Sequence, residues 1–296
     1  MPAALARPMI LRDIMSSAST STLTTFTASD GDNLAVQHWS VPEELPLRGV
    51  VLLVHGLGEH AGRYERLAQR FNQWGFDVRG YDHYGHGESG GERGALTSDE
   101  RLLDDLREMV EAARTRTPDG RPLILLGHSM GGLMAAKYVA RHPYTIDGLV
   151  LSSPAFATRV TGVQRLLLRT LPRIAPDLRV ANGLDTRWLS HDPEVERCYR
   201  ADPLVHDRIS ARLARFIAEG GPEVVAQARD WKVPTLLMYA GDDRLVDPAG
   251  SRAFAAAAPS SVVTSRCFDD LYHEIFNEPD SQPVFDVLQD WLDQRF

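Results

Sequence analysis

A serine flanked by glycines follows an apolar run near the middle of the chain. Residues 122–132 read Pro-Leu-Ile-Leu-Leu-Gly-His-Ser-Met-Gly-Gly, which places Ser129 in a Gly-x-Ser-x-Gly pattern. A strand is expected before this serine and a helix, Met130–Ala140, after it. A serine on such a sharp turn adopts a rare backbone conformation, and side chains at the flanking positions would collide with the turn. The pattern predicts a nucleophilic serine; the alternative is a tight turn whose serine only caps the helix.

A serine hydroxyl is a weak nucleophile unless a general base, itself oriented by a third group, takes its proton. Loops after two later predicted strands supply candidates. One loop holds Asp242, Asp243 and Asp247, and the loop after the last strand holds His273. Asp247 precedes a proline and suits a helix N-cap, whereas the residues alone do not separate Asp242 from Asp243 as the acid. We expect His273 to be the base rather than an ordinary surface histidine, because ligands of α/β sheets bind at this edge.

An acyl-transfer site also needs backbone N–H groups that face the negative charge developing on the substrate oxygen. The residue after the nucleophile, Met130, supplies one such donor in this kind of turn. The sequence His-Gly-Leu-Gly-Glu-His at 55–60 follows the first long apolar strand, and its glycines let the backbone turn into the site. We therefore expect Leu57 to supply the second donor.

The elements that must position these residues alternate between strand and helix. Asp-Gly at 30–31 indicates a hairpin, and the short, wholly apolar run 49–54 indicates a strand covered on both faces. A capping box over Thr97–Glu100 is expected to start a helix. The expected strands are Leu23–Thr27, Asn33–Val41, 49–54, Phe76–Tyr81, Leu123–Leu126, Leu149–Leu151, 234–239 and Ser261–Phe268, and helices are expected over Gly62–Trp74, from 97–100 to about 115, over Met130–Ala140 and over Pro283–Phe296.

The alternation stops after Pro154. Residues 155–230 are expected to be mostly helical, with segments at Arg159–Leu171, Ser210–Ala218 and Pro222–Ala228 and no strong strand. The fold class is therefore α/β, with a mostly parallel central sheet, helices on both faces and a helical cap insertion. We expect a flexible leader over 1–20, a core over 21–154 and 231–296, and a cap over 155–230.

Composition narrows the possible partners. The chain has 296 residues and a net charge of −8, without a concentrated basic tail, so nucleic acid is not expected as a partner. Cys198 and Cys267 form no metal-binding spacing and are expected to be free thiols, although one disulfide stays possible. No run is apolar enough for an export signal or a membrane span, which favours a cytoplasmic protein. Oligomeric state is left open by the sequence.

Two competing motifs lie in one loop. Residues 85–90 match Gly-x-Gly-x-x-Gly, but further glycines follow, so no helix N-terminus is expected there to bind a dinucleotide. Asp82, His83 and His86 are metal-ligand types, yet no further ligands stand at a recognised spacing. Neither a cofactor nor a metal is expected.

Taken together, the motifs resemble those of the monoacylglycerol lipase and lysophospholipase branch of the α/β-hydrolases. The similarity spans about residues 25–296, and it is carried by 55–60, 62–65, 81–89, 91–93, 127–132, 243–245, 272–273, 189–192 and 199–204. The resemblance implies the α/β-hydrolase fold, favours Asp243 as the acid, and implies hydrolysis of monoacylglycerol beneath a cap that covers the acyl chain.

The resemblance further implies that Glu59, Arg63 and Tyr199 line the polar end of the pocket. Glu59 and Arg63 could equally form a structural ion pair at the helix that follows the loop 55–60. Family members often carry a second histidine three residues after the catalytic one, where this chain has Phe276. That departure makes the expected lining more apolar than it is in those family members.

The first part of the cap is basic and amphipathic. Residues 159–179 carry five arginines and one aspartate that precedes the last of them, with apolar residues at spacings of three and four. Such a segment lies on a lipid surface or packs over the site, and the two roles are compatible. We expect a single-chain lipid ester as substrate and transient, peripheral membrane contact through the cap. The alternatives are a lysophospholipase or broad carboxylesterase and, in another class, a non-catalytic lipid-binding homologue.

Overall fold

The computed structural model describes residues 21–159 and 170–296, within which ten strands are formed. In chain order the strands are β1 (Ser21–Thr27), β2 (Asn33–Trp39), β3 (Gly49–Val54), β4 (Phe76–Tyr81), β5 (Leu123–His128), β6 (Gly148–Ser152), β7 (Arg179–Ala181), β8 (Arg208–Ser210), β9 (Thr235–Ala240) and β10 (Val263–Phe268). The α-helices whose two ends both lie in described residues are α1 (Glu65–Gln73), α2 (Arg101–Arg116), α3 (Met130–Arg141), α4 (Pro193–Ala201), α5 (Ala211–Gln227), α6 (Pro248–Ala257) and α7 (Gln282–Arg295).

One sheet of eight strands has the order β1-β2-β4-β3-β5-β6-β9-β10. The predicted hairpin is confirmed, because β1 and β2 are antiparallel neighbours, and β2 is also antiparallel to β4. From β4 to β10 every neighbouring pair is parallel. The carboxyl ends of these parallel strands therefore share one edge of the sheet, where the loops that follow them meet.

Both faces of the sheet are covered, as the apolar strands predict. All six residues of β3 are buried, and alternate side chains point to opposite faces. Val51 and Leu53 pack with side chains of α1 and α7, whereas Leu52 packs with side chains of α2 and α3. Burial on both sides explains why β3 is a continuous apolar run rather than an alternating one.

The start of α2 differs from the prediction. The helix begins at Arg101, and the side chain of its N-cap, Glu100, caps nothing, so the capping box expected at Thr97–Glu100 is wrong. Tertiary ion pairs account for the difference: Asp99 binds two arginines of α5, one of them Arg212 at 3.2 Å. Glu100, the expected partner in the capping box, likewise pairs with Arg141 of α3 instead of capping α2.

The segment between β6 and β9 contains α4 and α5, but its expected lack of strands is wrong. β7 and β8 form a two-stranded antiparallel sheet that pairs Arg179 with Ser210. Strands of three residues are too short to give a pattern in sequence, and their pairing joins distant segments.

Helix α5 runs without a break where two helical segments were expected, so that expectation is wrong. Ser210 caps it by accepting a hydrogen bond from the Leu213 amide at 3.2 Å, and Pro222 lies inside it. The buried Leu213 and Val224 lie on either side of the proline, so tertiary packing holds the helix across the missing hydrogen bond.

Most of the predicted helix Arg159–Leu171 falls on 160–169, which lie outside the described residues. Among the described residues, no helix combines the length and apolar character needed to cross a membrane.

Candidate active site

Ser129 lies on the turn between β5 and α3, at the carboxyl edge of the sheet. Its backbone has φ 54° and ψ −120°, a region that non-glycine residues rarely adopt. Such a conformation costs on the order of 1–3 kcal/mol and persists only where the surroundings enforce it. The sharp turn lifts the hydroxyl out of the sheet.

Close packing around the turn explains the neighbouring glycines. A Cβ on Gly127 would lie 2.4 Å from the carbonyl oxygen of Gly131, and one on Gly131 would lie 2.1 Å from the carbonyl oxygen of Val54. Real Cβ atoms do not approach other atoms this closely. The Gly-x-Ser-x-Gly spacing is thus required sterically, as the sequence predicts.

His273 and Asp243 meet at the same edge of the sheet. The Nδ1 atom of His273 lies 2.7 Å from Oδ2 of Asp243, and both side chains are buried. The other carboxylate oxygen of Asp243 accepts hydrogen bonds from the amides of Leu245 and Val246, both at 2.9 Å. These contacts fix the carboxylate and leave the Nε2 edge of His273 for other contacts.

Electrostatics favour a charge-separated pair. Burial lowers the pKa of His273, but attraction and hydrogen bonding to Asp243 outweigh burial, so its pKa lies above the ordinary value. Burial raises the pKa of Asp243, but His273 and the two backbone amides outweigh burial and hold its pKa below the usual range. An ionised Asp243 beside the ring therefore favours the protonated, positively charged form of His273.

The other two aspartates of this loop have different contacts. Asp242 forms an ion pair with Arg244 at 2.7 Å, and Asp247 caps α6 by accepting a hydrogen bond from the Ala249 amide, as the sequence predicts. Geometry therefore separates Asp242 from Asp243, which the residues alone did not.

Ser129 and His273 line the same cavity of about 620 Å³, together with Leu57 and Met130. Within the part of the chain that the structure describes, the Ser129 hydroxyl makes no hydrogen bond, including none to His273. Catalytic hydrogen bonds in structures without substrate are often unformed and tighten when substrate binds. Rotation of the short Ser129 side chain is the movement available to complete the contact.

The loop after β3 presents the Leu57 amide. The Nδ1 atom of His55 donates to the carbonyl oxygen of Gly56 at 2.8 Å, because Nε2 of the same ring accepts from the His83 amide at 3.0 Å. In a trans peptide the C=O and N–H groups point in opposite directions. The buried His55 therefore turns the Leu57 N–H away from the ring.

Neither of the two expected oxyanion donors is occupied. Among the described residues no hydrogen bond uses the amide of Leu57 or of Met130. Both residues line the cavity beside Ser129. The structure thus brings together every residue expected to act on the ester carbonyl, while His55, which orients one donor, was not singled out from the sequence.

A buried ion-pair network lies next to this group. Arg63 pairs with Glu59 and forms two hydrogen bonds to Glu274, at 2.8 and 2.9 Å. Glu59 also accepts from the Gly56 amide and from the Tyr64 hydroxyl, both at 2.6 Å. The ion pair between Glu59 and Arg63, which the sequence left open as an alternative, is present. Through the Gly56 amide, Glu59 also holds the loop after β3, which is called the oxyanion loop below.

The network places its carboxylates toward the cavity. Glu59, Glu274 and Tyr199 line the large cavity, whereas Arg63 lines only a neighbouring void of about 20 Å³. The guanidinium of Arg63 lies 4.6 Å from the centre of the Tyr199 ring and pairs with both carboxylates. Arg63 was expected to line the polar end of the pocket, but it does not line the large cavity. Burial opposes ionisation of Glu274, but attraction to Arg63 dominates and lowers its pKa to about 2.

Sequence reasoning missed Glu274, and its only signal was its position directly after His273. Phe276, the departure from the family pattern, lines the small void and packs against Phe285 with ring centroids 5.3 Å apart. His128 lines both spaces: its Nδ1 atom lies 3.0 Å from the Ser152 hydroxyl, and its ring lies 4.7 Å from that of His273.

The rest of the large cavity is mainly apolar and is formed largely by the segment between β6 and β9. This wall comprises Leu171, Pro172, Leu178, Val180, Ala181, Leu184, Trp188, Leu189, Ile209, Ala211, Ala214, Ile217 and Ala218. Ser129, His273 and a polar ion-pair network thus stand at one place in a cavity whose remaining surface suits hydrocarbon.

Comparisons with known proteins agree with this arrangement. The family model described as "Serine aminopeptidase, S33" matches residues 46–280. The monoacylglycerol lipase of Mycolicibacterium smegmatis is 38% identical over 278 residues, covering 93% of this chain and 98% of that protein. The phospholipase YtpA of Bacillus subtilis is 33% identical over 261 residues, covering 86% of this chain and 99% of that protein.

Solved structures give the same result. The monoacylglycerol lipase of Paleococcus ferrophilus matches with a TM-score of 0.81 and 36% identity, covering 89% of this chain and 99% of that one. The shared architecture therefore extends over almost the whole length of both chains.

Proposed function

The chain belongs to the serine aminopeptidase S33 family and has the α/β-hydrolase fold, and on this basis we propose that it hydrolyses monoacylglycerol to fatty acid and glycerol. The observation that carries the proposal is the meeting of Ser129, His273 and the Leu57 and Met130 amides at the wall of one large apolar cavity. A nucleophile and a base suit ester cleavage, and the apolar wall suits one acyl chain.

Acylation follows from the positions of these groups. His273 takes the proton of the Ser129 hydroxyl as the oxygen attacks the ester carbonyl, and Asp243 stabilises the imidazolium. The amides of Leu57 and Met130 donate to the oxygen that becomes negatively charged. His273 then gives its proton to the glycerol oxygen, the C–O bond of the ester breaks, and glycerol leaves an acyl group on Ser129.

Deacylation repeats the same steps with water. His273 takes a proton from water as its oxygen attacks the acyl carbon, and the same two amides hold the oxyanion. The proton then passes to the Ser129 oxygen, which releases the fatty acid. Side chains and backbone of this chain are sufficient for both half-reactions.

The polar network supports an uncharged head group. Glu59 and Glu274 face the cavity and share the single guanidinium of Arg63, which lies behind them. Hydroxyl groups of glycerol can donate to these two carboxylates, whereas a phosphate placed beside them would meet like charge. Monoacylglycerol is therefore favoured over a lysophospholipid, which is the alternative that the similarity to a phospholipase raises.

The test has two stages. A fluorophosphonate probe should label the wild-type protein at Ser129 and should not label Ser129→Ala. Hydrolysis of monoolein should then exceed that of lysophosphatidylcholine and of short p-nitrophenyl esters, measured as kcat/KM. Absence of labelling would favour a lipid-binding homologue without activity, and turnover of short esters alone would refute the lipase assignment while leaving the esterase mechanism.

We also propose that the protein meets its substrate at a membrane surface, through the segment between β6 and β9. Leu178 and Val180 line the cavity and are each about half exposed, at 49%. Ile174 precedes them and is 82% exposed. Exposed apolar side chains at a cavity mouth suit contact with acyl chains, and such contact would place a peripheral, cytoplasmic enzyme at its substrate.

A further inference from the structure

Glu278 is a buried carboxylate outside the group of residues that contacts substrate. It follows His273 by five residues, and its side chain is 1% exposed. Burial of a carboxylate is costly unless hydrogen bonds compensate, so its contacts indicate what it holds in place.

One oxygen of Glu278 holds the segment that carries His273. Oε1 accepts a hydrogen bond from the Tyr272 amide at 2.6 Å, directly before the histidine. The other oxygen, Oε2, accepts from the His191 amide at 3.1 Å. The His191 Nδ1 atom also lies 3.1 Å from both oxygens. The carboxylate therefore joins two segments that are far apart in sequence.

Further contacts run along the same junction. The His191 and Tyr272 rings stack with centroids 3.5 Å apart. The Glu274 amide donates to the carbonyl oxygen of Leu189 at 2.8 Å. The residues on either side of His273 are therefore both held through their backbone. The Tyr272 amide is bound by the carboxylate of Glu278, and the Glu274 amide is bound by the carbonyl oxygen of Leu189.

We propose that Glu278 is a positioning residue for the hydrolysis proposed above: it fixes His273 against Asp243 by binding the Tyr272 amide and the 190–191 segment together. It does not contact the reacting atoms and acts through the backbone on either side of His273. The function of the cap therefore includes holding the general base in place, in addition to forming the acyl-binding wall. This inference rests on the proposed function only where turnover is the readout.

The variant Glu278→Gln tests the proposal, because a glutamine side chain has nearly the same shape as glutamate. Its NH₂ group, however, cannot accept a hydrogen bond from a backbone amide, so one of the two contacts with the Tyr272 and His191 amides is lost. A displacement of the base of about 1 Å costs about 10²-fold, so we expect kcat for monoolein to fall by about 10–100-fold. KM should change less than kcat, since Leu189 is the one residue of the segment 189–191 that lines the cavity. The rate of fluorophosphonate labelling of Ser129 should fall by the same factor as kcat.

A readout independent of turnover is the proton shared by His273 Nδ1 and Asp243, observed by NMR as a downfield signal. We expect a sharp signal in the wild type and a broadened or absent one in Glu278→Gln. Asp105→Asn is the matched control: Asp105 is a buried carboxylate that binds Arg101 at 2.8 Å on α2, away from the site. This control should lower thermal stability and leave the labelling rate and the NMR signal unchanged.

The outcomes separate the two proposals. A wild-type protein that is labelled but hydrolyses no lipid ester refutes the proposed function, whereas labelling rates and the NMR signal still test Glu278. A folded Glu278→Gln with wild-type labelling and an unchanged signal overturns the positioning role. If that variant does not fold, His191→Ala carries the test: loss of about one hydrogen bond should slow labelling about fivefold, and an unchanged rate overturns the proposal.

Discussion

Each polar residue of the site depends on a partner that fixes its orientation or charge. Asp243 orients His273 and raises its pKa, and His55 turns the Gly56–Leu57 peptide. Arg63 keeps the carboxylate of Glu274 ionised. Substitution of one of these partner residues should therefore change the rate or the selectivity although Ser129 itself is unchanged.

The pH dependence should follow the Asp243–His273 pair. His273 must be neutral to take a proton, so kcat/KM should fall as the pH drops through its raised pKa. In Asp243→Asn the favourable charge is lost while burial still lowers the pKa of the ring, so the acidic limb should move to lower pH. The maximal rate should fall by about 10⁴-fold, as when a triad acid becomes an amide in other serine hydrolases.

Asp242, the exposed neighbour of Asp243, provides the control for this pH–rate measurement, which uses a short soluble ester. Asp242→Asn, which removes only the ion pair with Arg244, should stay within about twofold of the wild type. An acidic limb that moves to higher pH in Asp243→Asn would contradict the assignment.

Head-group selectivity should respond to the charge of Glu274. Glu274→Gln leaves Glu59 and Arg63 as a neutral pair, so repulsion of a phosphate head group should decrease. The ratio of kcat/KM for lysophosphatidic acid to that for monoolein should rise on the order of tenfold, equivalent to roughly 1.4 kcal/mol of charge repulsion. Because both substrates share His273, the ratio cancels effects on the base.

A surface carboxylate serves as the reference for selectivity. Glu223→Gln breaks an exposed ion pair with Lys137 and should leave the ratio unchanged. Equal losses for both substrates in Glu274→Gln, with no change in the ratio, would show that Glu274 supports the structure and not the selectivity.

The loop after β3 and the segment between β6 and β9 act as neighbouring elements rather than as independent ones. The His206 amide donates to the carbonyl oxygen of Gly58 at 2.9 Å. A Cβ on Gly58 would lie 2.4 Å from the carbonyl oxygen of His206, so only glycine permits this approach. The position of Leu57, one residue earlier, therefore depends on contact between the two elements.

Two glycines with the same positive φ allow steric packing to be separated from backbone strain. Gly58 and Gly120 both have φ +77°, but a Cβ on Gly120 would meet nothing within 4 Å. Alanine should cost about 1–2 kcal/mol at either position through the left-handed conformation alone. Only Gly58→Ala should also displace the oxyanion loop and lower kcat by about 10²-fold.

The measurement is kcat for a short ester together with the midpoint of thermal unfolding for both variants. Gly120→Ala should lower the midpoint and keep kcat. A Gly58→Ala protein that is destabilised to the same degree and has wild-type kcat would show that contact with His206 does not hold the oxyanion donor.

On the scale of the whole molecule, the sheet separates a catalytic edge from an opposite edge. The loops after β3, β5, β9 and β10 carry the site, and the cavity mouth with Leu178 and Val180 lies over them. Tyr144 precedes the amino end of β6 and therefore lies at the opposite edge, where it is 83% exposed. Membrane contact through the cavity mouth should thus be directional.

Ile174 beside the cavity mouth and Tyr144 at the opposite edge of the sheet are almost equally exposed, so their variants form a matched pair for measurements of vesicle binding. Ile174→Ser should weaken binding to vesicles of phosphatidylcholine with monoolein and lower hydrolysis there about threefold to tenfold, since it removes most of an apolar side chain. Tyr144→Ser, with nearly equal exposure, should bind as the wild type does. Neither variant should change hydrolysis of a dissolved short ester; equal vesicle binding by both variants would refute membrane contact at this edge.

The order of elements was largely predictable from the sequence, because each rests on local periodicity. The apolar run of β3, the Asp-Gly hairpin and the cap of α6 at Asp247 need only neighbours in the chain. The capping box at 97–100, β7 with β8 and the continuity of α5 were mispredicted, because long-range ion pairs and packing decide them.

The available chemistry can be read from the order of residues along the chain: a strained turn that requires Gly127 and Gly131 around Ser129, and an acid and a histidine in loops after later strands. Which atoms meet depends on how the chain folds. It paired Asp243 with His273, placed Arg63 behind two carboxylates and tied the histidine segment to the cap through Glu278. The physical reason is range: backbone sterics act between chain neighbours, whereas charge pairing and desolvation depend on residues that folding alone brings together.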